Sequence, residues 1–215
     1  MPGVAIKTIV LDLDGPLLDG MRRHYQCYSD ILIEHGFKPI PIGQYWEMKR
    51  NRVDRRQLLS LSSATEMYNE FSALWIERIE SREYLLLDRL QNHAVDILGG
   101  WKKSGMRLFL VTMRNKPVSL YWQLGELGIA HFFDEVVVVE SCRAGASKSA
   151  NIRPLLNNSR LEEVIWIGDT EADIHAAREL GVKVCALTCG LRTEEYLASL
   201  SPDMLEEDLN SFVSR

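Results

Sequence analysis

Two carboxylates one residue apart, Asp12 and Asp14, close the apolar run Ile6-Lys7-Thr8-Ile9-Val10-Leu11. A β-strand points alternate residues to one side, so both acids leave its end facing the same way, close enough to share a divalent cation. Crowded carboxylates need such a cation, or a proton, to coexist. An Asp-x-Asp alone is weak, because aspartates also gather in turns and helix caps. Recurrence gives it weight. Another apolar run ends at Thr112, another at Gly168-Asp169-Thr170-Glu171-Ala172-Asp173, and Lys148 follows a third. In open parallel sheets the carboxyl ends of strands converge on the ligand crevice, so one edge gathers at least three acids, a hydroxyl and an ammonium.

The elements that must position these groups are legible as five short runs rich in β-branched residues: Ile6 to Leu11, Met106 to Val111, Glu135 to Val139, Val164 to Ile167 and Val182 to Leu187. Their hydrophobicity is continuous rather than alternating, which predicts strands buried on both faces of a parallel sheet. Helical spacing over Ala94 to Ser104, Pro117 to Leu127, Ser149 to Leu156 and Glu171 to Leu180 supplies the crossovers. Three of these segments run into a stop signal at Gly105, Gly128 or Gly181. The pattern predicts an α/β fold, a three-layer α/β/α Rossmann-like core formed by residues 1–19 and 91–215. Residues 20–90 exceed any ordinary crossover. Their apolar positions, such as Tyr25, Tyr28, Ile31, Leu32 and Tyr68, Phe71, Leu74, Trp75, recur at helical spacing and predict a small inserted helical subdomain. The tail from Pro202 to Arg215 is expected to be one acidic amphipathic helix.

A chain of 215 residues, 46% hydrophobic and 26% charged, fits one large globular unit with an insertion. A net charge of −5 argues against nucleic acid as the main partner. No apolar run approaches a membrane span, and Lys7 breaks the only stretch that a signal peptide would need, so the expected location is the cytoplasm. Cys27, Cys142, Cys185 and Cys189 lack both Cys-x-x-Cys spacing and the density of a disulfide framework, and read as reduced packing residues. Monomer and homodimer both stay open.

The residues at the strand ends resemble, in identity and order, the four motifs of the haloacid-dehalogenase-like hydrolases, in particular the phosphatase branch whose helical cap follows the first strand. Asp12-Leu13-Asp14-Gly15 looks like the first motif, Thr112 the second, Lys148 the third and Gly168-Asp169-x-x-x-Asp173 the fourth. The likeness covers nearly the whole chain. It implies a Mg²⁺-dependent phosphatase of the phosphoglycolate-phosphatase kind, acting on a small phosphorylated metabolite. By the resemblance, Asp12 attacks phosphorus to form an aspartyl phosphate, while Asp14 protonates the leaving alkoxide and then serves as base toward water. Mg²⁺, a hard cation, is implied on the Asp12 side chain, the Asp14 backbone carbonyl and Asp169. Lys148 and Thr112 are implied at the phosphoryl oxygens, with Asn115 as a second substrate contact. Asp173 is expected to orient Lys148 or a metal-bound water.

Two departures from the family pattern stand out: Pro16 where a threonine or valine is common, and Asp19-Gly20 in place of Asp-Ser. Proline removes a donor and fixes φ, so the turn after Asp14 is expected to be stiffer or differently shaped. Substrate choice is assigned to the insertion, where Lys49-Arg50-Asn51-Arg52-Val53-Asp54-Arg55-Arg56 sets five cations against one acid. Lys49 and Arg52 are its candidates for binding a carboxylate or second phosphate. Of the five histidines, only His24 lies where a test is warranted. A phosphomutase shares all four motifs. A phosphonate hydrolase needs a Schiff-base lysine from the insertion, with Lys38 and Lys49 available. A dehalogenase needs neither second acid nor metal. In a different class, a phospho-receiver or other non-catalytic binding module carries a similar acid-hydroxyl-lysine set, but places its acceptor aspartate after the third strand.

Overall fold

The computed structural model describes residues 5–139 and 148–214, so Cys142 lies outside the described residues. Six parallel strands form the main sheet in the order β5-β4-β1-β6-β7-β8: β1 (Thr8–Leu11), β4 (Arg107–Thr112), β5 (Glu135–Val138), β6 (Val164–Gly168), β7 (Lys183–Leu187) and β8 (Met204–Glu206). A separate antiparallel ribbon pairs β2 (Leu18–Asp19) with β3 (Arg89–Leu90). All five expected strands are present, and β1 lies between β4 and β6, with Leu11 level with Leu110 and Ile167. That register brings the residues after β1, β4 and β6 to one edge.

Alternation along the strands sorts side chains into two layers. On one face Ile9, Leu11, Leu110 and Ile167 pack against α6 (Ala94–Lys103) and α7 (Pro117–Glu126). On the other, Val10, Phe109 and Trp166 pack against α8 (Lys148–Ile152) and α9 (Glu171–Leu180). The core is thus three-layered, as the continuous hydrophobic runs predict. Helices α6, α7 and α9 are each followed closely by a glycine in the left-handed region, Gly105, Gly128 and Gly181. The segment predicted as one helix from Ser149 to Leu156 is α8 followed by a 3₁₀ turn over Arg153–Leu156, where Pro154 cannot continue the α-helical bonding.

The tail corrects the expectation of a single helix. Met204–Glu206 adds a sixth strand beside β7, and only α11 (Leu209–Val213) is helical, after Asp208 caps it through Ser211 N–H. Edge pairing wins here because β7 would otherwise present a bare row of backbone donors and acceptors. Helix α10 (Glu194–Ser199), capped by Thr193, links these strands.

Between β2 and β3 the chain forms five helices: α1 (Met21–Glu34), α2 (Ile42–Arg50), α3 (Arg55–Ser60), α4 (Tyr68–Arg78) and α5 (Arg82–Leu85). They enclose a hydrophobic cluster of their own, with Tyr28, Ile31, Leu32, Tyr45, Phe71 and Trp75 buried in it. Tyr28 stacks on Tyr45 with ring centroids 4.7 Å apart. Among the described residues no helix is long and apolar enough to cross a membrane.

Trp166 is fully buried in the central sheet and hydrogen-bonds the Asp173 carboxylate through Nε1 at 3.1 Å. Trp166→Ala is expected to cost about 3–5 kcal/mol of stability, seen as a lower urea midpoint at unchanged slope. A loss below about 1 kcal/mol would mean that this packing contributes little.

Candidate active site

At the carboxyl edge of the sheet Lys148, the first residue of α8, is almost completely buried. Its ammonium donates to Asp12 Oδ2 at 2.6 Å and to Asp173 Oδ1 at 2.7 Å. Burial opposes its charge, but the two carboxylates outweigh that and hold its pKa above the ordinary lysine value. Asp173 is fixed from its other side by the cap of α9, where Oδ2 accepts from Thr170 Oγ1 at 2.7 Å and from Thr170 N–H. Asp173 therefore has its hydrogen-bonding capacity taken up by Lys148, Thr170 and Trp166.

Asp169 lies beneath this pair, wholly buried. Its Oδ2 accepts from Leu191 N–H at 2.6 Å, while Oδ1 has no partner. Glycines make room for it. A Cβ on Gly190 would stand 2.0 Å from Asp169 Oδ2, and one on Gly15 2.2 Å from its Cγ, so neither position admits a side chain. Gly15 also has φ +93°, a second reason for glycine. Asp12, Asp169 and Asp173 offer oxygens within 4.8 Å of one another. Burial, opposed by Lys148 and helped by Asp173, pushes the Asp12 carboxyl up to about 7. Burial and the neighbouring carboxylates likewise raise Asp169 well above the carboxylate range. With all three ionised, the carboxylates would outnumber the one ammonium by two charges, beside an unsatisfied carboxylate oxygen. That donor set is hard and anionic, and fits a divalent cation.

Asp14 has a different environment. Its side chain turns to two guanidiniums: Arg114 donates to both oxygens at 2.7 and 2.8 Å, and Arg23 to Oδ1 at 2.6 Å. Asp88 completes a neutral quartet, accepting from Arg23 Nε at 2.8 Å and from Gln123 at 2.8 Å. The Asp14 side chain is thus engaged by two guanidiniums and stands outside the Asp12–Asp169–Asp173 cluster. Glycine at position 20 has a use here too: a Cβ there would approach Arg23 Nη2 to 3.2 Å. The turn through Gly15, Pro16 and Leu17 closes with Gly15 N–H on Leu18 O at 2.9 Å, so it forms with proline in place.

One cavity of about 460 Å³ is lined by Asp12, Asp14, Thr112, Asn115 and Lys148, so the structure brings these sequence-predicted residues together, above the buried Asp169 and Asp173. Asn115 is held through its backbone N–H by the Glu80 carboxylate at 2.9 and 3.0 Å. Lys49 and Arg52 line an adjoining cavity with His24. The Arg52 guanidinium reaches the Tyr196 hydroxyl and stands 3.5 Å from Glu171. Lys38 and Arg56 line neither chamber. Arg23, Glu80, Asp88 and Gln123 escape sequence reasoning, since no motif marks them.

Fold and site define an α/β protein with a buried cluster of acids and one lysine at the carboxyl edge of a parallel sheet. The family model of haloacid dehalogenase-like hydrolases matches residues 6–181, and the chain belongs to that family. A phosphoglycolate phosphatase from Vibrio cholerae is 28% identical over 97% of this chain and 96% of its own length. A pyrophosphatase from Anoxybacillus flavithermus is 24% identical, covering 97% and 96%. The crystal structure of a predicted phosphoglycolate phosphatase from Haemophilus somnus shares the fold, with a TM-score of 0.76 at 21% identity and 97% of each chain covered. The chain is an enzyme, a hydrolase that stands among phosphatases.

Burial works to raise the Asp14 carboxyl, but Arg114 and then Arg23 overcome it, so the group titrates well below its ordinary 3.8. A carboxyl lowered in the folded state stabilises above its unfolded pKa, and that contribution drains away as pH falls toward the folded value. Arg114→Ala is therefore expected to cost about 3–5 kcal/mol near neutral pH, and progressively less below about pH 4. Urea unfolding across this range checks it; a penalty independent of pH would show that the ion pair is not its source.

Proposed function

We propose that the protein is a Mg²⁺-dependent phosphomonoesterase acting on a small phosphorylated metabolite through an aspartyl-phosphate intermediate. The observation that carries this reading is the Lys148 ammonium bridging Asp12 and Asp173 above an Asp169 carboxylate with a free, buried oxygen. The Asp12 side chain, the Asp14 backbone carbonyl and Asp169 would hold Mg²⁺. When bound, the ion supplies charge neutralisation between the anionic nucleophile and the anionic ester.

The chain's own residues do the rest. Lys148 leaves Asp12 for the phosphoryl oxygens as the substrate enters, with Asp173 keeping the ammonium within reach of both. Thr112 and the adjacent backbone complete the cradle, and Asn115, fixed by Glu80, faces the leaving group. Asp12 attacks in line, the P–O bond of the ester breaks and Asp14 delivers a proton to the departing oxygen; Asp14 then takes a proton from the water that attacks phosphorus, which breaks the Asp12–phosphate bond and frees phosphate. Asp14 is ionised and paired with two guanidiniums. To act as an acid it must take up a proton as those pairs loosen on substrate entry. The segment between β2 and β3, which supplies Arg23 from α1 and Glu80 from the turn between α4 and α5, then serves as the cap.

Phosphate release from a generic aryl phosphate is expected to require Mg²⁺ and to vanish in Asp12→Asn; equal rates in chelator, or full activity in the variant, would refute the mechanism. Gly190→Ala pushes a methyl into Asp169, and is expected to weaken Mg²⁺ binding by about 10–100-fold in a calorimetric titration. Wild-type affinity there would remove Asp169 from the ligand set.

A further inference from the structure

Beside the chamber that holds Asp12 lies a second, of about 420 Å³, walled largely by the helices between β2 and β3. The two share His24, Trp75, Glu171, Leu191 and Arg192 in their walls, so they are adjoining compartments. Their combined size suits an extended ligand better than a bare phosphate.

The charges around the second chamber do not balance locally. Its two acids are already engaged. Glu171 receives Arg192 at 2.7 and 3.0 Å, with Arg52 at 3.5 Å, and Asp54 caps α3 through Arg56 N–H at 2.7 Å. Lys49 and Arg55 remain, and among the described residues no carboxylate forms an ion pair with either. The Lys49 ammonium lies over the Trp75 ring, 5.1 Å from its centroid. Arg55 donates to Ser72 Oγ at 2.8 Å and lies 5.8 Å from the centroids of Phe71 and Trp75. Burial first, then the nearby Arg55 and Arg192, push the Lys49 ammonium down to about 8, as expected for a cation facing other cations. In the shared wall His24 Nδ1 is buried and unpartnered. Two cations on aromatic faces, lacking a counter-ion in a partly desolvated pocket, gain most from an arriving anion.

We propose that the second chamber is an anion subsite for the leaving group, with Lys49 and Arg55 receiving a carboxylate or second phosphate while Trp75 and Phe71 flank the carbon skeleton that joins it to the scissile ester. The inference rests on the phosphomonoesterase reading for which group is cleaved. Its chemistry excludes neutral leaving groups as preferred substrates. Arg52, the other cation singled out from the sequence, serves Glu171 and Tyr196 instead.

Calorimetric titration of the intact protein with Mg²⁺ and three non-hydrolysable probes tests this without turnover: phenylphosphonate, its para-carboxylated analogue and its para-phosphonate analogue. At least one doubly charged probe is expected to bind about tenfold or more tighter than phenylphosphonate, and the better of the two identifies carboxylate or phosphate. In Lys49→Met and in Arg55→Gln that gain is expected to fall below about threefold, while Lys49→Arg retains it. Because the gain is a ratio within each variant, partial unfolding does not imitate its loss. Equal affinities for all three probes, or an undiminished gain in both variants, would overturn the subsite. A preserved gain without aryl phosphate turnover would instead fault the phosphatase reading alone.

Discussion

The buried ammonium of Lys148 is the contact on which the site depends. Without it Asp12, Asp169 and Asp173 would confront one another in a dry pocket, where like charges cannot all ionise. Its two short bonds tie the end of β1 to the first turn of α9. Asp173 can play this part because Thr170 and Trp166 already hold its other bonding positions. A helix cap, a core tryptophan and the site thus share one carboxylate.

Two charge sets lie side by side and differ in net charge. Asp14, Asp88, Arg23 and Arg114 balance, and Asp14 stays firmly ionised. Asp12, Asp169, Asp173 and Lys148 do not balance, and the first two carboxyls are driven upward. Neighbouring acids that began with one intrinsic pKa are thereby separated by their surroundings alone. Attack by Asp12 with proton delivery by Asp14 needs the opposite order, so a cation beside Asp12 and a loosening of the arginine pairs around Asp14 would both have to shift these groups.

Much of this was legible in the chain. The strands were readable because burial on both faces leaves continuous apolar runs, and Asp12, Thr112 and Asp169 were readable because they interrupt those runs. Helix stops showed at Gly105, Gly128 and Gly181, where φ is positive. The tail misled, since Met204–Glu206 is short and only its pairing with β7 makes it a strand. Arg23 and Asp88 were illegible for another reason: they are 65 positions apart and meet only when the helices between them fold back. The cationic run from Lys49 to Arg56 was half legible. Its charge was plain, but which cations lack partners depends on Glu171 and Arg192, far along the chain.

The ribbon of β2 and β3 carries one more implication. The chain enters and leaves the helical insertion through strands hydrogen-bonded to each other, Leu18 beside Leu90 and Asp19 beside Arg89. The helical segment therefore starts and finishes at neighbouring points of the backbone, and beyond that ribbon the Arg23–Asp14 ion pair is a second tie between it and the sheet edge.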